Sequence, residues 1–164
     1  MTEVRHAMAT WTGDLQTGSG TIDYVSSGAF SRMPVTWASR TSAHEGKTSP
    51  EELLAAAHAA CFSMAFSSRL AKNGTPATKL SVRVEITFDN PNGAGWKVAK
   101  SDIAVQGDVP GIDAAKFDEL AEDAKENCPI SVAIKGNVEL SVDATLVEPG
   151  QAGSMPTRRL AGTS

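Results

Sequence analysis

Two stretches of strict alternation stand out along the chain. Over residues 80–88, Leu80, Val82, Val84, Ile86 and Phe88 alternate with Ser81, Arg83, Glu85 and Thr87. Over residues 138–146, Val138, Leu140, Val142, Ala144 and Leu146 alternate with Glu139, Ser141, Asp143 and Thr145. A period of two predicts strands with one face buried and the other wet. The polar run from Asp89 to Gly95 reads as a turn, and residues 96–106 as the hairpin partner of the first strand. Residues 6–12 and 20–26 pattern as a further hairpin around 13–19. Between these segments the period lengthens. Ser49 as N-cap, Pro50 at the first helical position and Glu52 three residues after the cap form a capping box. That helix runs to Lys72 and ends at Asn73-Gly74. Its alanine-rich stretch permits close packing. A second helix opens at Asp113 and runs to about Asn127, where Pro129 breaks it. Helices alternating with antiparallel hairpins predict an α+β fold, with residues 1–148 as a single domain. Residues 149–164, rich in Gly, Pro, Ser, Thr and Ala, read as a disordered tail.

Composition narrows the function classes. The chain has 164 residues, 41% hydrophobic and 21% charged, which suits an ordinary globular domain with a real core. A formal net charge of -4 and an aromatic content of 5% argue against a nucleic-acid partner. The start, Met1-Thr-Glu-Val-Arg-His6, lacks the apolar run of a signal peptide. The longest apolar stretch, residues 53–66, holds His58 and Ser63 and is too short to span a bilayer. A cytoplasmic protein with no membrane partner is the expectation. Two cysteines, Cys61 and Cys128, do not make a secreted disulfide framework. In a reducing cytosol a bond between them would be transient and catalytic rather than structural.

Cys61 is therefore the residue to explain. A thiol reacts as its thiolate, and a free thiol titrates near about 8.5. Cys61 lies eleven positions beyond Pro50, too deep for the helix dipole to help, and an apolar helix raises a thiol pKa by desolvation. A cation from elsewhere is needed. The segment before the helix offers Arg40, His44 and Lys47, of which Arg40 keeps its charge even when buried. A buried guanidinium needs a carboxylate, and Glu51 in the first helical turn is available. Plainer readings stand beside these. Either cysteine can be a small core residue. Glu51 can simply favour the helix dipole, and Arg32 and Arg40 can be solvated. His58 with Cys61 spells His-x-x-Cys, but no neighbouring pair of ligands completes a metal site, so His58 reads as a packed or hydrogen-bonded helix residue.

The residues from Thr48-Ser-Pro-Glu-Glu-Leu-Leu through His58-Ala-Ala-Cys-Phe-Ser-Met64 closely resemble the signature helix of the OsmC family, which is related to the organic hydroperoxide resistance proteins. The resemblance extends to Trp11-Thr-Gly-Asp-Leu15, Gly18-Ser-Gly20, Val109-Pro-Gly-Ile-Asp113 and Asn127-Cys-Pro-Ile-Ser131, covering about residues 6–146. The His-Ala-Ala-Cys-Phe-Ser-Met form points to the OsmC branch. Two departures precede the helix: residues 40–50 run about one residue longer than the family pattern, and Ser49 stands where Asn is usual. The resemblance implies an OsmC-like fold of antiparallel sheets packed with two main helices, forming an intertwined homodimer with sites at the subunit interface. It implies a cofactor-free thiol peroxidase acting on organic hydroperoxides in oxidative and osmotic stress. On it, Cys61 matches the peroxidatic cysteine, Cys128 the resolving cysteine, Glu51 the family's glutamate and Arg40 its arginine, with Arg32 the other upstream arginine.

The expected chemistry follows. Arg40, oriented by Glu51, stabilises the Cys61 thiolate, which attacks the peroxide and becomes a sulfenic acid. Cys128 condenses with it, and an external dithiol, lipoyl-type on the family's pattern, restores both thiols. An apolar pocket lined by Phe62, Met64 and Phe66, or by their counterparts across the dimer, would favour alkyl peroxides; those side chains can equally be plain core. The rival expectation is a non-catalytic binding protein for a small apolar ligand at the same interface; a ligand-free dimeric scaffold is the third.

Overall fold

The computed structural model describes residues 1–42, 44–153 and 155. The chain forms two compact units that divide after Leu53.

The first unit is built on a three-stranded antiparallel sheet of β1 (Ala7–Thr12), β2 (Ser19–Val25) and β3 (Ser31–Val35). The predicted hairpin of β1 and β2 is present, pairing Ala7 with Val25 and Thr12 with Ser19. Its turn is tied by Asp14, whose carboxylate accepts from the Gln16 and Thr17 amides and the Thr17 hydroxyl. The Thr17 hydroxyl, followed by the two amides, holds the Asp14 carboxyl below its ordinary value. The sequence pattern missed β3, a short strand carrying Pro34, which only an edge tolerates. It also missed α1 (Trp37–Thr41), a helix of one turn. Thr36 and Ser39 cap α1 reciprocally, and the buried Ser39 hydroxyl also lies 2.8 Å from the Thr48 carbonyl oxygen, tying α1 to the start of the next helix.

That helix, α2 (Pro50–Lys72), begins in the first unit and runs on into the second. The capping box forms by halves. The Glu52 amide donates to the Ser49 hydroxyl at 3.1 Å, but the Glu52 carboxylate accepts from the Thr48 hydroxyl instead of returning to the cap. The far end closes as Asn73-Gly74 predicts. The Gly74 amide reaches the Ala71 carbonyl and the Thr75 amide the Leu70 carbonyl, with Gly74 at a positive φ of 82°.

The second unit packs α2 with β4 (Lys79–Asp89), β5 (Lys97–Asp108), α3 (Ala114–Asn127), α4 (Pro129–Ile134) and β6 (Glu139–Leu146). His58, Phe62, Phe66 and Leu70 are buried at every fourth position of α2, which makes one continuous inner stripe. Phe66 meets Phe117 of α3 with ring centroids 5.0 Å apart, among Val84, Ile103 and Val105 of the sheet. Gly107 is required there, because a Cβ would lie 2.5 Å from the Phe117 ring. At 23 residues α2 is long enough to cross a bilayer, longer than the apolar stretch alone suggested. Its buried stripe nonetheless belongs to the core of this unit.

One expectation is corrected and another is extended. The sheets are not wholly antiparallel: β4 pairs antiparallel with β5, but β6 runs parallel to β5, from Lys100 opposite Glu139 to Gly107 opposite Leu146. Alternation reports a buried face and is silent on partner direction, which is set by the crossover through α3 and α4. Pro129 does end α3, yet it also starts α4, where its fixed φ and missing donor suit the first helical position. Beyond β6 the Gly150 amide donates to the Asp108 carboxylate at 2.9 Å, and Ala152 is buried. The remainder of the expected disordered tail, residues 154 and 156–164, lies outside the described residues.

Candidate active site

Local structure puts the two cysteines on different elements of the second unit. Cys61 is half-buried on α2, beside the inner stripe. Cys128 is fully buried at the joint where α3 ends and α4 begins, its backbone extended between the two helices. Both are free thiols, and Cys61 packs against the core cluster that contains Cys128. The Cys61 pKa is pushed up, chiefly by burial and further by the hydrogen bond and charge of Cys128. One group works the other way: the Ile130 amide, in the first turn of α4, donates to the Cys61 sulfur. Burial at the thiol pair therefore works against ionising Cys61.

The cationic part of the expected set lies in the first unit. The Arg40 guanidinium forks onto Glu51, Nη2 to Oε1 at 2.6 Å and Nε to Oε2 at 3.2 Å. Both side chains are largely shielded, 28% exposed for Arg40 and 10% for Glu51. Such a planar two-point pair fixes orientation as well as charge. The guanidinium also stacks 5.5 Å from the Trp37 ring. Arg32, by contrast, is exposed on β3, and Lys47 pairs with Glu45. Arg40 borders a cavity of about 350 Å³ walled also by Trp11, Leu15, Val35, Trp37 and Pro50.

Of the side chains named for an apolar pocket, two take the core alternative within this chain. Phe62 and Phe66 are fully buried members of the core stripe, while Met64 is 69% exposed on the opposite face of α2. Trp11 and Trp37 went unassigned. The available signal was their rarity: they are two of only three tryptophans, and Trp37 lies three residues before Arg40. His58 is fully buried, and both ring nitrogens are engaged, Nδ1 with the Ser101 hydroxyl and Nε2 with the Ser131 hydroxyl, each at 2.8 Å.

A helix carrying one thiol, a second thiol brought to it by a helix joint, and an arginine–glutamate pair at the helix entrance define a thiol-centred α+β protein. The OsmC-like protein family matches residues 43–143, and the chain belongs to that family. It is 37% identical over 140 residues to peroxiredoxin OsmC of Escherichia coli, covering 85% of this chain and 96% of that protein. It is 34% identical over 97 residues to an organic hydroperoxide resistance protein of Xanthomonas axonopodis, covering 58% and 65%. Among solved structures, an organic hydroperoxide resistance protein OsmC from Legionella pneumophila superposes with a TM-score of 0.66 at 23% identity, covering 85% of this chain and 96% of that one. The α+β fold is thus that of the OsmC and organic hydroperoxide resistance proteins.

Proposed function

We propose that this protein is a cysteine peroxidase that reduces organic hydroperoxides to alcohols. Peroxidase-type stress chemistry is supported by the names of its relatives, peroxiredoxin OsmC and organic hydroperoxide resistance protein. The observation that carries the detailed reading is the placement of two free thiols at one core cluster, one half-buried and one fully buried. The Cys61 thiolate attacks the terminal peroxide oxygen and breaks the O–O bond. The departing alkoxide takes a proton and leaves as the alcohol, and Cys61 becomes a sulfenic acid. The Cys128 thiol then displaces the hydroxyl, giving a Cys61–Cys128 disulfide and water. An external dithiol reduces that bond by exchange and is itself oxidised.

Because burial pushes the Cys61 pKa up, the thiolate needs outside charge. Arg40, held by Glu51, supplies it and also stabilises the oxygen as it leaves. The apolar cavity beside Arg40 suits an alkyl chain. The outer face of α2, with Ala56, Ala57, Ala60 and Met64 exposed, is the surface that a second copy would cover. The Cys61→Ser variant should lose tert-butyl hydroperoxide turnover, and one equivalent of peroxide should leave a Cys61–Cys128 link by mass spectrometry. Full turnover in Cys61→Ser would sink the reading. Mixing two inactive variants, Cys61→Ser and Arg40→Ala, settles whether the arginine serves a partner's thiol, since recovery requires that it act across copies.

The raised Cys61 pKa favours one rival, a binding protein for a small apolar ligand. A Cys61 inert to iodoacetamide at pH 6 would support that rival.

A further inference from the structure

His58 is unused by the reaction as written, yet it is built into the core with both nitrogens committed. It lies three residues before Cys61 on α2, and Ser131 lies three residues after Cys128 on α4. Its Nε2 contact with Ser131 therefore joins the two cysteine-bearing elements, and its Nδ1 contact with Ser101 ties both to the central strand β5. All three side chains are fully buried. The geometry points to His58 as a positioning residue: through Ser131 it holds α4 against α2 and so sets how readily Cys128 resolves the Cys61 sulfenic acid. This assignment rests on the peroxidase reading above.

Three observations carry it. First, α4 has six residues and no side-chain cap at Cys128, so it cannot hold its own place and depends on packing. Second, α4 delivers two groups to Cys61: the Cys128 thiol at its cap and the Ile130 amide in its first turn. Third, the chemistry demands a close approach. The two sulfurs must close to about 2 Å to bond, and a small displacement of α4 lengthens that path. A neutral imidazole fits the bridge. One nitrogen donates to a serine oxygen and the other accepts from a serine hydroxyl, so each contact is satisfied in either tautomer. Burial lowers the His58 pKa and keeps the ring in that neutral form. An apolar residue of similar size would fill the space but release α4.

The test separates resolution from peroxide attack. After Cys61 is oxidised, the sulfenic acid either meets Cys128 or is oxidised again to sulfinic acid by excess peroxide. The ratio of disulfide to sulfinic product is a competition within each reacting molecule, so it does not depend on how much protein is active. Wild type, His58→Phe, His58→Gln and Ser131→Ala are treated with graded cumene hydroperoxide and read by mass spectrometry, with dimedone trapping of the sulfenic acid. Losing the bridge should shift the ratio toward sulfinic acid by about tenfold, the size expected for a buried hydrogen bond left unmade. His58→Gln, which can keep one of the two bonds, should fall between. Should His58→Phe fail to fold, Ser131→Ala carries the test with the same expected direction. A wild-type ratio in folded Ser131→Ala and His58→Gln overturns the assignment and leaves the peroxidase intact. A wild type that forms neither sulfenic acid nor disulfide removes both.

Discussion

Replacing Glu51 by glutamine probes the ion pair at the helix entrance. The substitution keeps size and one acceptor but removes the charge that the Arg40 fork is built around. The pair is short at 2.6 Å and 3.2 Å, and Glu51 is 10% exposed. Two unit charges about 4 Å apart near a protein surface attract by about 4 kcal/mol. Desolvation of both groups offsets part of that. Arg40 is 28% exposed, so water recovers some of its solvation after the change. The amide still accepts one hydrogen bond. A net loss of about 2 kcal/mol remains, in line with hydrogen bonds to charged groups. For a chain of 164 residues that loss lowers the melting temperature by about 4–8 °C. Circular dichroism melts of wild type and Glu51→Gln at equal concentration measure it. Peroxide turnover should fall in the same variant, because the guanidinium loses its orientation. A melting point unchanged or raised would refute the reasoning, since it would show that the pair only balances its own desolvation.

Three further outcomes are expected. The pH midpoint for iodoacetamide alkylation of Cys61 should lie higher in Arg40→Ala than in wild type; equal midpoints would take the arginine out of thiolate stabilisation. His58 has a folded pKa below its unfolded value of about 6.5, so the unfolded chain binds the extra proton first and stability drops as pH falls below that value. Urea unfolding from pH 7 to 5 should show a slope of at most about 1.4 kcal/mol per pH unit from this group, missing in His58→Gln; identical slopes would contradict it. Gly107→Ala should lower the urea midpoint by the equivalent of about 1–3 kcal/mol, because its Cβ collides with the Phe117 ring. A midpoint equal to wild type would mean that Phe117 moves aside freely.

What the sequence disclosed follows a physical division. Elements whose order is written in nearest neighbours were readable: the alternation of β4 and β6, the Ser49 start and Asn73-Gly74 end of α2, the Asp113 cap of α3. The family resemblance named Cys61, Cys128, Arg40 and Glu51. The structure brings together the two thiols, and separately the arginine and glutamate, while their catalytic roles remain proposals. What escaped depends on distant partners. No local pattern states that β6 lies parallel to β5, or that the amide of Ile130 reaches the sulfur of Cys61. The half-formed capping box is similar: the spacing rule sends the Glu52 carboxylate to the Ser49 backbone amide, where the fold sends it to the Thr48 hydroxyl. The wall of Trp11 and Trp37 could not be read from periodicity because neither lies in a strongly patterned segment.

The parallel pairing of β5 with β6 bears on the order of assembly. A hairpin such as β4–β5 closes within a few residues of its turn, but β6 meets β5 only after the whole crossover has been made. Cys128 rides in that crossover, between the two strands. The loop that must close to return β6 to β5 is therefore the same segment that returns the second thiol toward α2. One crossover thus serves two ends: it sets the direction of the last strand, and it carries Cys128 from the far side of the sequence into the core that Cys61 borders.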